Sequence, residues 1–485
     1  MKLGELLVPL APVKVHVSLD TDVRGLQIDS RAVRPGDAFV AIAGTVQDGH
    51  AFIPAAWEAG ACCVFAERPQ AQALPHLVLR DTRIALAPLA ARFYGYPSRR
   101  MTMVGVTGTK GKTTVTHLVK EIHDRVQGGC TGLIGTNRNL IGSLALPAER
   151  TTPDALHVQA LLAEMADRNC GACVMEVSSH ALVQSRVDEI YYDVGVFTNL
   201  TRDHLDYHSD MERYFEAKKL LFYQCKKAVI NRDDPYGRRL DNAHHPLWYS
   251  LRDETADLRA DNIRLLPDRV AFDALYQGRR AATVWHTPGE FSVYNALAAL
   301  GTCLTLGMPL ADAAEALADV GLVKGRMERV AFREGITVII DYAHAPDALD
   351  NVLRAARESA PGRVIVLCGC GGDRDMGKRA LMGGIAARRA DLAIFTTDNP
   401  RSEDPLEILR MMEAGVREVR GAYRVVPDRS EAIREALLAA KEGDTVLLCG
   451  KGHETYQEIR GVKHHYDERE VIAQVRRELR EHIGR

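Results

Sequence analysis

The chain has 485 residues, too many for one hydrophobic core, and two to four domains are expected. A formal net charge of −2, with 46% hydrophobic and 26% charged residues, fits an ordinary globular enzyme and gives no argument for nucleic acid or an acidic membrane surface. The opening stretch MKLGELLVPLAPVKV has too short an apolar run for a signal peptide, no segment is long enough to span a bilayer, and the 10 cysteines lack disulfide or zinc spacing, so buried thiols in a reducing cytoplasm are expected.

Residues 1–98 read as a small α/β unit, with strands at 37–42 and 62–65 and a helix at 52–59. Polar loops at Ile28-Asp29-Ser30-Arg31 and 44–50 (GTVQDGH) lie at strand ends, where α/β sheets bind ligands, although turn chemistry explains them equally well. A turn-rich stretch, 94–100 (YGYPSRR), closes the unit. The run 101–106 (MTMVGV) is then a strand, followed by a glycine turn, Gly111-Lys112-Thr113-Thr114, and a segment with helical spacing of Val115, Leu118, Val119 and Ile122. Strand, glycine loop, GK[ST] and helix make a P-loop, with Val106 standing where the strict pattern places a glycine. Such a loop turns backbone N–H groups and a helix N-terminus onto phosphate oxygens. Lys112 would reach the terminal phosphates, and the Thr113 hydroxyl is a hard ligand suited to Mg²⁺.

Between the P-loop and residue 326 the polar motifs become dense. Asp154, ending 150–154 (RTTPD), is placed to cap the next helix. The apolar strand 173–177 carries Glu176, a carboxylate that is unfavourable to bury without a cationic partner; after a P-loop, the nucleotide's Mg²⁺ is the nearest candidate. The strand 194–198 ends in a loop with Asp203, His204, Asp206 and His208 in six residues, which reads as a site. In the amphipathic helix 211–222 the residues Tyr214, Leu221 and Phe222 suit a buried face, while spacing alone sends Lys218 and Lys219 to solvent. Residues 240–285 alternate like antiparallel strands, and 291–306 is a buried helix with Asn295 as its polar exception. Gly325-Arg326 precedes a new strand and marks the second boundary.

From 327 to 485 strand and helix alternate again. Strand 338–340 leads into Asp341-Tyr342-Ala343-His344, with Asp347 expected to cap the following helix. Strand 364–368 leads into a glycine loop in which Arg374 stands where a dinucleotide turn needs its third glycine, which argues against an NAD site. Strand 393–396 leads into Asp398-Asn399-Pro400-Arg401, and 446–449 into Gly450-Lys451-Gly452-His453-Glu454. Polar loops after four strands describe an open α/β sheet with ligands at its carboxyl edge. The expected fold is therefore α/β, in three units at 1–98, 99–326 and 327–485, acting on a nucleotide and a large polar substrate.

Taken together, Thr107 to Thr114, Met175 to His180, Thr198 to His204, Ala217-Lys218, Gly325-Arg326, Asp341 to His344 and Gly450 to Glu454 resemble the Mur ligases, ATP-dependent amide-forming enzymes of bacterial peptidoglycan synthesis. The order matches across almost the whole chain, and Asp29-Ser30-Arg31 and Pro35-Gly36-Asp37 fit as well. Asp398-Asn399-Pro400-Arg401 resembles the signature of members that add meso-diaminopimelate to UDP-N-acetylmuramoyl-L-alanyl-D-glutamate. The resemblance implies a UDP-binding domain, a central P-loop ATPase domain and a C-terminal Rossmann-like domain. It implies ATP contacts at Gly108, Thr109, Lys110, Gly111, Lys112, Thr113, Thr114, Asn295, Arg326, Asp341 and His344. Catalytic roles fall on Lys112, Glu176, His204 and Lys218. Mg²⁺ would meet Thr113 and Glu176, with His204 near a second ion, and Lys218 would carry a CO₂-derived carbamate as a further metal ligand, reversing the solvent expectation.

The same resemblance assigns Ile28, Ser30, Thr45, Val46 and Gln47 to the acceptor's UDP, and Thr151, Thr152, Ser178, Gln184 and Arg186 to its peptide side. Diaminopimelate would meet Arg374, Asp398, Asn399, Pro400, Arg401, Gly450 and Glu454. The implied partners are these small molecules, with no nucleic acid and no membrane insertion, for a cytoplasmic monomer. Two rivals are a folylpolyglutamate synthase, which shares the ATPase core, and a non-catalytic nucleotide-binding scaffold. The Asp398 to Arg401 motif argues against the first, and Lys112, Glu176, His204 and Lys218 together argue against the second.

Overall fold

In the computed structural model, residues 1–44, 47–70, 74–240, 243–417, 419 and 421–483 are described. Three main sheets organise them, as expected for an α/β chain. The first has the order Lys14–His16, His76–Val78, Cys63–Ala66, Asp37–Val40, Gly25–Gln27, parallel except for its Lys14–His16 edge. Its inner strands are covered on both faces, so they read as unbroken apolar runs. Cys63 and Phe65 join the core under the helix Thr82–Phe93, whereas Val64 and Ala66 join the core under Ile53–Glu58.

The central sheet has eleven strands, with Thr102–Thr107 between Ala172–Glu176 and Tyr192–Phe197. These three are parallel, and the register sets Glu176 beside Val106 and Phe197 beside Thr107. The glycine loop, the Glu176 carboxylate and the 198–204 loop therefore leave the sheet at one edge. Val104, Val106, Val174 and Val196 pack on the helices Lys112–Gln127 and Glu290–Thr305, while Met103, Met175 and Phe197 pack on the opposite face with Tyr214 and Phe215. Leu258–Leu265, Val270–Tyr276 and Arg279–Trp285 pair antiparallel as the alternation in 240–285 suggests. Pro246–Ser250 departs from that expectation and joins the sheet parallel to Cys225–Asn231. Strand direction depends on a neighbour distant in sequence, which alternation does not report.

The third sheet has the order Glu328–Val330, Thr337–Asp341, Thr445–Cys449, Val364–Cys368, Leu392–Phe395, Tyr423–Val425, parallel beyond its first strand. A hairpin, Tyr456–Ile459 and Val462–His465, stands apart and closes on Arg401 through a bridge at Ile459. Asp154 caps the helix Ala155–Asp167 by accepting from His157 N. Asp347 does not cap: Pro346 takes the first position of the helix Pro346–Ser359, whose cap residue is Ala345, so the Asp347 carboxylate lies within the first turn, where it still favours the helix N-terminus. The 10 cysteines are free thiols, with Cys62 and Cys130 half-buried and the others buried. No described helix is long and apolar enough to cross a membrane.

Candidate active site

The glycine loop has the shape it has because two of its residues carry no side chain. Gly108 has φ 146°, and a Cβ there would lie 1.9 Å from Thr198 Oγ1. At Gly111, with φ 87°, a Cβ would lie 2.4 Å from Asn295 Oδ1. The loop is tied to the next strand's end: Thr109 N donates to Asn199 O at 2.8 Å, Lys110 N to Asn199 Oδ1 at 2.9 Å, and Thr198 Oγ1 to Lys110 O at 2.6 Å. Lys112 opens the helix beyond it and folds back, donating to Gly108 O at 2.8 Å and Thr109 O at 3.0 Å. Burial pulls the Lys112 ammonium down to about 8 against the attraction of Glu176.

Lys218 meets the same carbonyl. It is 1% exposed, its Nζ donates to Gly108 O at 2.8 Å, and it sits 4.6 Å from the centre of the Tyr214 ring. The solvent placement drawn from helical spacing is therefore overturned. The helix Met211–Lys219 buries Tyr214, Phe215, Ala217 and Lys218, and Lys218 lies one turn beyond Tyr214 on that stripe. Burial, reinforced by Lys112 and opposed by Asp203, holds its ammonium far below the ordinary lysine range.

Glu176 is 1% exposed, and its partners are neutral donors rather than a cation. Its Oε2 accepts from Thr113 Oγ1 and Thr136 Oγ1, each at 3.0 Å, and its Oε1 accepts from Thr136 N at 2.8 Å. Arg326 Nη2 in turn donates to Thr113 Oγ1 at 3.0 Å, bringing the segment before the third sheet onto the P-loop. Thr136 lies in a polar loop, 135–138 (GTNR), after the strand Thr131–Ile134, but no motif there points to Glu176. His204, half-buried with φ 55°, lies 5.1 Å from His180, ring centre to ring centre. Burial pushes its imidazole down to about 3 although Asp203 pulls the other way. The Asp203 carboxylate is ion-paired to Lys110 at 2.9 Å. Among the described residues, no three or more His, Cys, Asp and Glu side chains gather to hold a metal ion.

Two clefts open at this edge. One, of about 330 Å³, lies between the second and third sheets. Lys110, Gly111, Thr114, Asn295, Arg326, Asp341 and His344 line it, together with the apolar rings of Trp285 and Phe291. The buried Asp341 carboxylate accepts from Met327 N and Ala343 N, each at 2.8 Å. Gly108 and Thr109, in the loop, and Thr113, in the first turn of the helix Lys112–Gln127, stand behind this cleft without lining it.

The second cleft, of about 840 Å³, joins groups that are far apart in sequence. Lys112 and His204 share it with Thr151, Thr152, Ser178 and Arg186 on one side and Arg374, Asp398, Asn399, Arg401, Gly450 and Glu454 on the other. Gln184 is held to it through Arg186, which donates from Nε at 3.1 Å and Nη2 at 2.6 Å. Pro400 lies behind the wall. Arg401 is already engaged: its Nε pairs with Glu458 Oε2 at 3.2 Å and its Nη1 donates to Gly372 O at 2.7 Å. Arg374 is exposed to the cleft, with a single 3.4 Å bond to Asp373 O. The hairpin residues Tyr456 and Lys463, unmarked in the sequence, complete this wall.

Ile28, Ser30 and Gln47 line neither cleft. Ile28 packs against the first unit's core, Ser30 opens a short turn capped by Asp29, and Gln47 O accepts from Gly44 N at 3.0 Å. Thr45 and Val46 lie outside the described residues.

Fold and site together define a P-loop α/β protein with a polar substrate cleft between its phosphate loop and a second parallel sheet. Comparison with known proteins narrows this class. Residues 22–94 match the family model "Mur ligase family, catalytic domain", 106–303 match "Mur ligase middle domain", and 325–452 match "Mur ligase, glutamate ligase domain". A UDP-N-acetylmuramoyl-L-alanyl-D-glutamate–2,6-diaminopimelate ligase of Geobacillus thermodenitrificans (strain NG80-2) is 46% identical, covering 99% of this chain and 100% of its own. The protein of the same name from Halalkalibacterium halodurans is 43% identical over 99% of each chain. A solved structure of a ligase of that name superposes with a TM-score of 0.69 at 31% identity, covering 99% of both chains. The chain belongs to the Mur ligase family.

The loop geometry yields a first prediction. Gly108→Ala sets a Cβ against Thr198 at a backbone angle that L-residues avoid, a strain of roughly 1–3 kcal/mol. ATP affinity measured by calorimetry should fall roughly ten- to a hundredfold, and the thermal unfolding midpoint should drop by about 2–10 °C because the folded chain carries the strain. Unaltered ATP affinity would show that the loop's shape does not matter to the nucleotide.

Proposed function

We propose that this chain ligates meso-diaminopimelate to the D-glutamate side-chain carboxylate of UDP-N-acetylmuramoyl-L-alanyl-D-glutamate, with ATP converted to ADP and phosphate, as a step of peptidoglycan precursor synthesis. The observation that carries the reading is the 840 Å³ cleft, in which the P-loop lysine faces both the cationic Arg186 wall and the Arg374 and Glu454 pocket. The two full-length relatives, at 46% and 43% identity, bear the name of this reaction.

A carboxylate is a poor electrophile, so the acceptor's glutamate oxygen first takes the γ-phosphoryl group of ATP, forming an acyl phosphate. The uncharged amine of diaminopimelate then attacks the acyl carbon, and the C–O bond to phosphate breaks as the amide forms. Positioning and charge neutralisation supply most of the rate in such transfers. In this reading the P-loop N–H groups and Lys112 hold the phosphates, and the apolar rings of the smaller cleft take the adenine. Arg186 and Thr152 orient the acceptor's peptide end; they are already joined by a 2.9 Å bond from Arg186 Nη1 to Thr152 O. The first unit, 1–98, takes the UDP end, 99–326 the ATP, and 327–485 the amino acid. All the named groups come from one chain, so the reading needs no second copy. It places the enzyme in the cytoplasm, where ATP and these precursors meet.

The residues present suit Mg²⁺ on one side of the loop. Thr113 Oγ1 and Glu176 Oε2, two hard oxygens 3.0 Å apart, would hold it, and it would supply neutralisation of phosphate charge. On the other side the bare Lys218 ammonium is incompatible with a cation. As a carbamate it becomes an anion, and together with His204 it would complete a second metal site. The buried position that disfavours its ammonium favours the uncharged amine, the form that adds to CO₂.

Mass spectrometry of a reaction containing ATP, the UDP-muramoyl dipeptide and meso-diaminopimelate should show the tripeptide product, with phosphate released only when all three are present. Phosphate release without the amino acid, or no amide product, would refute the ligation. Amino-acid choice gives the next expectation. Lysine lacks the far carboxylate that Arg374 and Arg401 would meet; Arg374 is exposed and Arg401 keeps Glu458, so the loss is that of the missing charge-assisted hydrogen bonds, roughly 1.5–3 kcal/mol. In competition assays diaminopimelate should be strongly preferred, and Arg401→Ala should lose that preference selectively. Unchanged selectivity in Arg401→Ala would place the discrimination on another residue.

A further inference from the structure

Behind the acidic end of the large cleft runs a row of buried charges of alternating sign. Glu468, 1% exposed, accepts from Arg429 Nε at 3.0 Å and Nη2 at 2.8 Å. Arg429, fully enclosed, also donates to Cys449 O at 2.8 Å. Asp398 follows: against burial, Lys451 and Arg429 hold its carboxylate below the ordinary range. Lys451 has no exposed surface, and its Nζ lies 3.9 Å from Asp398 Oδ1. That ammonium donates to Asn399 Oδ1, to Tyr456 O at 2.8 Å and to Glu454 Oε2 at 3.2 Å, so all three of its protons are used inside the protein. Glu454 ends the row at the cleft, where Asn399 Nδ2 donates to the same Oε2 at 2.9 Å.

The row holds three carboxylates, Glu468, Asp398 and Glu454, and two cations, Arg429 and Lys451. It is short of one positive charge, and its open end is Glu454. Burial and the nearby Asp398 push the Glu454 carboxyl above its usual range, which marks the same deficit. A ligand ammonium entering beside Glu454 would complete the alternation.

We infer that Lys451 is a positioning residue for the amino-acid substrate, clamping Glu454, Asn399 and the Tyr456 hairpin so that one carboxylate stands ready for the ligand's ammonium. The inference rests on the proposed placement of diaminopimelate in this pocket and deepens it. Lys451 itself is sealed from the cleft, so its effect passes through Glu454. A lysine that only held the hairpin in place would instead disturb the whole wall, Arg401 included, since Arg401 N donates to Glu458 O at 3.1 Å and Arg460 N to Arg401 O at 2.7 Å.

Steady-state kinetics on Lys451→Met, Glu454→Gln and the double variant of the full chain separate these roles. Each single change should raise KM for meso-diaminopimelate, roughly 30-fold or more, with KM for ATP and kcat at saturation altered by less than about threefold. Because one residue acts through the other, the double variant should be no worse than Glu454→Gln alone, within about threefold. Losses that multiply in the double variant, or a Lys451→Met effect shared equally by kcat and the ATP KM, would overturn the inference. Should Lys451→Met fail to fold, Lys451→Gln provides the same comparison without the charge; failure of both to fold would assign Lys451 to the architecture and overturn the inference too. An unchanged diaminopimelate KM in Glu454→Gln would instead refute the placement of the amino acid itself, a separate outcome from failure of Lys451→Met alone.

Discussion

The Gly108 carbonyl oxygen accepts from two lysines at once, Lys112 and Lys218, each at 2.8 Å. Like charges about 4 Å apart repel by roughly 4 kcal/mol at an effective dielectric of 20, so an enclosed pair of ammonium groups is unfavourable without anions. Burial holds both lysines below the ordinary range, Lys218 furthest. The site thus disfavours two ammonium groups on one carbonyl, and Lys218, enclosed where Lys112 is half-buried at the cleft, is the one driven toward its uncharged amine. On the proposed reading, phosphate oxygens would meet Lys112 and a carbamate would form on Lys218, bringing negative charge to this point.

Much of the surrounding structure follows from holding that carbonyl in place. Gly108 lacks a side chain because Thr198 stands where a Cβ would go, and the loop is fixed by Asn199 from the next parallel strand. Parallel register brings Glu176 to the same edge, where three hydrogen bonds from neutral donors orient its carboxylate; on the proposed reading Mg²⁺ would meet it there. Across the cleft the sign is reversed: the row from Glu468 to Glu454 holds one more carboxylate than cations and ends on Glu454 at the cleft. A cation-rich loop facing an anion-terminated pocket suits a reaction that joins a phosphorylated carboxylate to an amine drawn from an ammonium head.

Sequence reading recovered the parts governed by local rules. The strand, glycine loop and helix at the P-loop, the Asp154 cap, and the polar loops after the third sheet's strands all follow from burial on two faces, capping and turn chemistry. It failed where a partner distant in sequence decides. Spacing and charge place Lys218 in solvent although it lies on the Tyr214 stripe, and only the family resemblance places it inward. Two of the three donors to Glu176 come from Thr136, forty residues earlier, with no motif to tie them to it; the third, Thr113, belongs to the P-loop motif. Asp347 lost its cap position to the proline before it, and the hairpin that closes on Arg401 carries no signal of its destination. The alternating charge row has the same character, since Arg429, Asp398, Lys451 and Glu468 meet only after folding.

On the proposed reading, Lys218 becomes an anion beneath the P-loop. Carbon-13 NMR of the protein equilibrated with ¹³C-bicarbonate and Mg²⁺, unmutated and as Lys218→Ala, tests this most directly. One carbamate resonance per chain is predicted, strengthened by ATP and missing from Lys218→Ala. No resonance in the unmutated protein, or one that persists in Lys218→Ala, would contradict the account.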